Sequence, residues 1–200
     1  MAVFIAFAAN AAAQTNYFVT LGNMTAWNGV AHAIDTTYIS LSVKGPNGQV
    51  FSKTYGPNKL HRNQRTNWAL SSTPINVPAD AQSTLTISWA AINKGTTSLQ
   101  QIGETLSNAA ASIGQSGGSP IGVIASTIGG ALGGHFLQSC DVPLFGGSAT
   151  FTGAQLAAGQ LGGRWSPEGP GMWHVVYDYP NIHSPCDTGH YNLEIHIKRQ

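Results

Sequence analysis

From Thr105 to Cys140 the chain runs thirty-six residues without one Asp, Glu, Lys or Arg. A stretch of that length at average composition carries roughly nine charged side chains. Their absence restricts the segment to a protein core, a membrane, or a surface that exchanges between the two. Its inner pattern is helical. Leu99, Ile102, Leu106, Ala109 or Ala110, and Ile113 recur at intervals of three and four, which is one stripe of a helix. Ser98 followed by Gln101 suits a capping box at its start, and Gly114-Gln115-Ser116-Gly117-Gly118 suits a break at its end. Ser119 and Pro120 then fit the N-cap and first position of a second helix, Ile121 to about Leu132, apolar on every side and closed by Gly133-Gly134. The expectation is an αα-hairpin over about residues 97–134.

Length argues against a permanent membrane span. Pro120 to Gln138 is nineteen residues, about 28 Å as helix against a hydrocarbon layer of about 30 Å. Five of them are glycine, and Ser126, Thr127, His135 and Gln138 add polar groups. A helix apolar all round belongs in a core, so Ile121, Ile124, Ile128 and Leu132 are expected to be buried against a sheet. The small residues at Gly118/Gly122, Gly129/Gly133 and Gly130/Gly134 keep conditional entry into lipid as the alternative.

The flanks read differently. Tyr17, Val19 and Leu21 alternate; so do Ile39, Leu41 and Val43 against Tyr38, Ser40 and Ser42; so do Leu85, Ile87 and Trp89. Period two of this kind marks strands with one buried face. Gly45-Pro46-Asn47-Gly48 carries turn chemistry, and Gln49–Tyr55 follows as a hairpin partner. Ile75 and Val77 form a short run closed by Pro78. Beyond Cys140 the strands return at Ser148–Thr152, Met172–Tyr179 and Tyr191–Lys198, with a short helical turn near Gln155. The fold class expected is mainly β: an antiparallel β-sandwich, a single domain over residues 14–200, with a helical insertion at 97–140.

Composition bears on compartment. Charged residues are 8% of the chain and the net charge is +1, so no field exists to attract nucleic acid. Residues 1–13, MAVFIAFAANAAA, are uncharged and end in a small-residue run, which reads as a candidate signal peptide or an apolar N-terminal segment. Cys140 and Cys186 are the only cysteines, an even count that suits a disulfide in an exported protein; it closes a loop of about 47 residues. Asn23-Met24-Thr25 is a glycosylation sequon. A secreted, extracellular protein is expected.

Three patterns carry candidate chemistry. Gly114-Gln115-Ser116-Gly117-Gly118 matches G-x-S-x-G, and a nucleophile Ser116 would draw on Asp187 and His190 downstream, with Asp141, Asp178 and His183 as the alternative partners; that motif needs a strand before the serine. Between Tyr55 and Trp68, cations, amides and aromatics crowd together. With Lys53 they make Lys53, Lys59, Arg62, Arg65 and Trp68 candidate contacts for a glycan, an anionic head group or a protein. His190, Glu194 and His196 share one strand face, and a metal would need a further ligand such as His174; no metal and no cofactor are expected. The resulting expectation is a secreted non-enzymatic binding protein that meets membrane lipid, glycan or protein, through the hairpin or the basic loop. The alternatives are a serine hydrolase using Ser116 and a lectin-like or structural module with the hairpin permanently buried.

Overall fold

A computed structural model describes residues 14–29, 34–61, 65–70, 74–94, 99–116, 120–132 and 140–200. Ten strands and three helices are present among them: β1 (Thr15–Asn28), β2 (Ile34–Lys44), β3 (Val50–His61), β4 (Thr66–Ala69), β5 (Ile75–Ala79), β6 (Thr84–Asn93), α1 (Leu99–Ser116), α2 (Pro120–Leu132), β7 (Val142–Thr152), α3 (Gly153–Ala158), β8 (Ser166–Gly169), β9 (Met172–His183) and β10 (Thr188–Arg199). They form an antiparallel β-sandwich with an inserted helical hairpin. One sheet, A, runs β4-β1-β10-β9-β8, with β5 sharing β1's edge beside β4; the other, B, runs β3-β2-β6-β7. The candidate signal segment, the capping Ser98, Ser119, the Gly133-Gly134 stop and Arg62 lie outside the described residues.

The alternating runs build the inter-sheet core. Tyr17, Val19 and Leu21 of β1 meet Ile39, Leu41 and Val43 of β2, Leu85, Ile87 and Trp89 of β6, and Leu193, Ile195 and Ile197 of β10, all with almost no exposure. The indole Nε1 of Trp89 donates to Tyr179 Oη at 2.7 Å across the sandwich. Burial pushes the Tyr179 phenol above its ordinary pKa, so it stays neutral as an acceptor.

The hairpin covers the outer face of sheet B. Ile102, Leu106, Ala109, Ala110 and Ile113 of α1, with Ile124 of α2, bury against Tyr38, Ala90 and Ile92 in a second apolar cluster. Full burial of an Ile or Leu side chain contributes about 1.5–3 kcal/mol before entropy, so this layer is part of the core. Two adjacent glycines of β7 make the three layers fit. A Cβ on Gly147 would come within 2.5 Å of the Trp89 ring, and one on Gly146 within 2.7 Å of Ile124 Cδ1. One glycine admits the indole on the inner face; its neighbour admits the hairpin on the outer one.

The hairpin's stem is clamped. Lys94 Nζ and Asp141 Oδ2 pair at 2.7 Å, and Asn93 Nδ2 donates to Cys140 O at 2.9 Å. Cys140 and Cys186 are bridged, with Cα atoms 5.4 Å apart, tying the hairpin's exit to the β9–β10 connection of the opposite sheet. α3 carries a capping box, Thr152 reciprocating with Gln155.

Three expectations about elements change. α1 does not end before Gly114; it continues through Ser116, because the helix gains one hydrogen bond per added residue at little further cost. The run read as a basic loop is largely sheet: β3 extends to His61 and β4 takes up Thr66–Ala69. β3 passes its Gly-Pro pair by a register shift opposite Thr37/Ile39, with Gly56 at φ 130°, where any Cβ would strike Thr37 O. The short strand β8 was not expected at all.

Candidate functional site

Sheet B is covered on both faces, so sheet A carries the broad solvent-facing strand surface. A bulge decides what that surface displays. Tyr17, Val19 and Leu21 point inward, but the β1–β10 register shifts between Leu21 and Met24, so Met24 and Ala26 point inward instead. The parity flip turns Trp27 outward, 42% exposed.

Around Trp27 the neighbouring strands bring four polar groups. The Arg65 guanidinium carbon lies 4.1 Å from the indole centroid, and the His190 ring stacks at 6.1 Å. His190 Nε2 pairs with Asp178 Oδ1 at 2.5 Å. Asn192, with its amide oriented to donate, gives the same Asp178 oxygen a hydrogen bond of 2.7 Å. Thr25 and Asn67 lie beside them on β1 and β4. The aromatic side chain is therefore held by a cation, an imidazole and, through it, a carboxylate, all on or next to rigid strands.

A second polar group lies further along the same face. Glu194 Oε2 accepts from Asn23 N at 3.1 Å and from Asn23 Nδ2 at 3.0 Å. His196 sits between two carboxylates, Nδ1 to Glu168 Oε2 at 3.0 Å and Nε2 to Glu194 Oε1 at 3.5 Å, and lies beside His174 across the strand pair. Both ring nitrogens of His196 are thus engaged by protein oxygens. Among the described residues no three His, Cys, Asp or Glu side chains converge to hold a metal ion.

The sequence-derived candidates are dispersed by the fold. Lys53 and Lys59 lie on β3 in sheet B; Arg65 and Trp68 lie at β4 in sheet A. Trp68 packs toward the inter-sheet core, so only Arg65 of that set joins the Trp27 group. Ser116 is the last residue of α1, without the strand-to-helix turn that exposes a nucleophile. The hairpin lies on sheet B, whereas His190 is on the outer face of sheet A and pairs with Asp178, not Asp187. Asp187 Oδ1 instead accepts from Thr188 N at 2.8 Å. Ile124 is fully buried, as expected; the side chains of Ile121, Ile128 and Leu132 lie outside the described residues. No described helix is long and apolar enough to cross a membrane.

No family model matches the chain, and no curated protein matches it. Among solved structures it is similar to a chain reported under the words "CC2D1B coordinates ESRCT-III activity during the mitotic reformation of the nuclear envelope", at 10% identity and a TM-score of 0.40, covering 95% of this chain. The present chain spans 57% of that chain's length.

Proposed function

We propose that this is a secreted, non-enzymatic binding protein whose recognition surface is the open face of sheet A around Trp27, with a neutral glycan as ligand. The carrying observation is a 42% exposed tryptophan held by Arg65 and His190 beside Asp178 and Asn192. A protein partner would favour a contiguous apolar centre. Here one aromatic is ringed by a carboxylate, amides, a hydroxyl and an imidazole, which offer both donors and acceptors to sugar hydroxyls while the indole meets the ring's C–H groups.

The test is a glycan array followed by calorimetry on Trp27→Ala. The variant should lose at least about tenfold in affinity with an unchanged melting temperature. Equal binding by Trp27→Ala, or no glycan bound by the parent, overturns the reading.

Lipid contact through the hairpin is the second reading, favoured by its charge-free length and by a seam to β3 that is partly hydroxyl-bonded. A Cβ on Gly103 would lie 3.8 Å from Thr54 Cβ, about the separation a disulfide spans. Oxidised Thr54→Cys/Gly103→Cys should then lose dye release from liposomes and regain it on reduction. Release undiminished by the lock means that the hairpin does not leave the sheet.

A further inference from the structure

β3 is an edge strand of sheet B: its inner side pairs with β2, and among the described residues no strand pairs with its outer side. Edge strands present a row of unpaired backbone donors and acceptors, which proteins usually blunt with proline, lysine or a bulge. The two halves of β3 differ here. The distal half carries Gly56-Pro57, Lys59 and the register shift opposite Thr37/Ile39. The proximal half, Val50–Tyr55, pairs in unbroken register with Lys44–Ile39 and contains no proline and no glycine. Its one charged residue, Lys53, alternates away from the α1 side, which is taken by Ser52 and Thr54.

Beside that unblunted half lies a groove of about 870 Å³ between β3 and α1. α1 runs alongside: Thr54 Oγ1 donates to Gly103 O at 3.2 Å, and Ser107 Oγ lies 3.1 Å from both Thr54 Oγ1 and Ser40 Oγ. The groove's floor is therefore hydroxyl-bearing. Val50, 38% exposed, and Ala111 make one part apolar, while Glu104 stands near the Thr54 end. A strand edge that no other described strand pairs with, flanked by a helix, is the arrangement that accepts an added strand.

We propose that the β3–α1 groove binds an extended peptide segment of a partner protein, which adds to sheet B along Val50–Tyr55. Backbone hydrogen bonds to the edge supply the register. Alternate side chains enter the groove, where small or β-branched residues fit the Ser52–Thr54–Ser107 floor and a lysine or arginine meets Glu104. The exposed acid argues for a basic partner segment over a second copy of this chain, whose own groove would bring the same acid. This surface is independent of the Trp27 face, and the two succeed or fail separately.

The probe is a phage-displayed library of random peptides about eight residues long, enough to span the edge. It is selected against the parent and counter-selected against Asn108→Trp, which places an indole in the groove from an exposed helix position. Selected peptides should be rich in β-branched residues with a basic residue at one end. They should lose about tenfold or more in affinity on N-methylation at alternate peptide nitrogens, and a similar factor against Glu104→Lys or Asn108→Trp. Amide shifts in the parent should concentrate in Val50–Tyr55. A library that yields no such peptide, or peptides that bind Asn108→Trp equally, overturns the proposal. So does a concentration-dependent dimer abolished by Asn108→Trp, which would assign the groove to a second copy.

Discussion

The outer faces of the two sheets begin from the same period-two pattern and end in opposite environments. On β10 the outward positions are Asn192, Glu194, His196 and Lys198; all retain solvent contact. On β2 they are Tyr38, Ser40 and Ser42, and all three are buried beneath α1. Both sets are nominally polar. What separates them is charge: a hydroxyl can be matched by another hydroxyl in a dry seam, whereas an ion there would lose several kcal/mol of hydration. Alternation thus fixes which residues share a face, and the kind of polar residue fixes whether the other face sees water. β6 carries the stronger signal, since Ala90 and Ile92 on its outward side have no reason to be apolar unless something covers them.

The widest test of that contrast puts the same charge on both faces. Ile124→Asp buries a carboxylate in the hairpin layer and should cost more than about 4 kcal/mol, enough to threaten folding. Val176→Asp, at a position 45% exposed on the open face and opposite Glu194, should cost no more than about 1.5 kcal/mol, from strand propensity and the facing carboxylate. Chemical denaturation of the two variants side by side decides it. An Ile124→Asp protein as stable as its Val176 counterpart would mean that the hairpin is not core.

The covalent tie between the faces comes next. Replacing both cysteines with serine releases a loop of sequence separation 46, which the chain-entropy model values at about 4 kcal/mol. The loss should appear in the midpoint of urea unfolding, and reduction of the parent should reproduce it. An unchanged midpoint would show that the stem's ion pair and amide bonds hold the hairpin's exit alone.

Gly147→Ala probes the layers themselves. The added methyl meets Trp89 at 2.5 Å, and overpacking of this kind costs about 1–3 kcal/mol. The same substitution at Gly169, where nothing lies within 4 Å of the new Cβ, should cost far less. Equal melting temperatures for the two variants would contradict the packing described for β7.

Much of this was legible from residues. The buried faces of β2, β6 and β10, the helical stripe of α1, the burial of Ile124 and the Cys140–Cys186 bridge follow from periodicity, composition and count. The Trp27 site did not. Continuing the Tyr17, Val19, Leu21 alternation carries Trp27 inward, and only the bulge after Leu21, a tertiary adjustment between β1 and β10, turns it out. The basic run misled for a related reason: its cations, amides and aromatics read as a loop, but the register shift in the β2–β3 pair absorbs the Gly56-Pro57 pair, and the strand continues to His61. Cations adjacent in sequence were thereby divided between two sheets.

The smallest expected effect tests the hydroxyl seam on which the contrast between faces rests. Ser107 Oγ lies 3.1 Å from Ser40 Oγ and 3.1 Å from Thr54 Oγ1, so one hydroxyl serves both strands. Ser107→Ala removes it without creating a large cavity and leaves two hydroxyls to find other partners. Ser40 retains the Lys53 carbonyl at 3.2 Å, and Thr54 the Gly103 carbonyl at 3.2 Å. Neither is stranded completely, which places the cost near 1 kcal/mol, below the full penalty for an orphaned buried group. Removing all three hydroxyls together, with Ser40→Ala, Thr54→Val and Ser107→Ala, deletes the partners as well as the donor. Ser40 is fully buried, whereas Thr54 and Ser107 also line the β3–α1 groove, so the triple variant should recover stability relative to the single one only if water does not enter the seam from that groove. A triple variant that falls by the sum of three independent losses would place water in the seam, and the buried face of β2 would then differ from the open face of β10 in degree only.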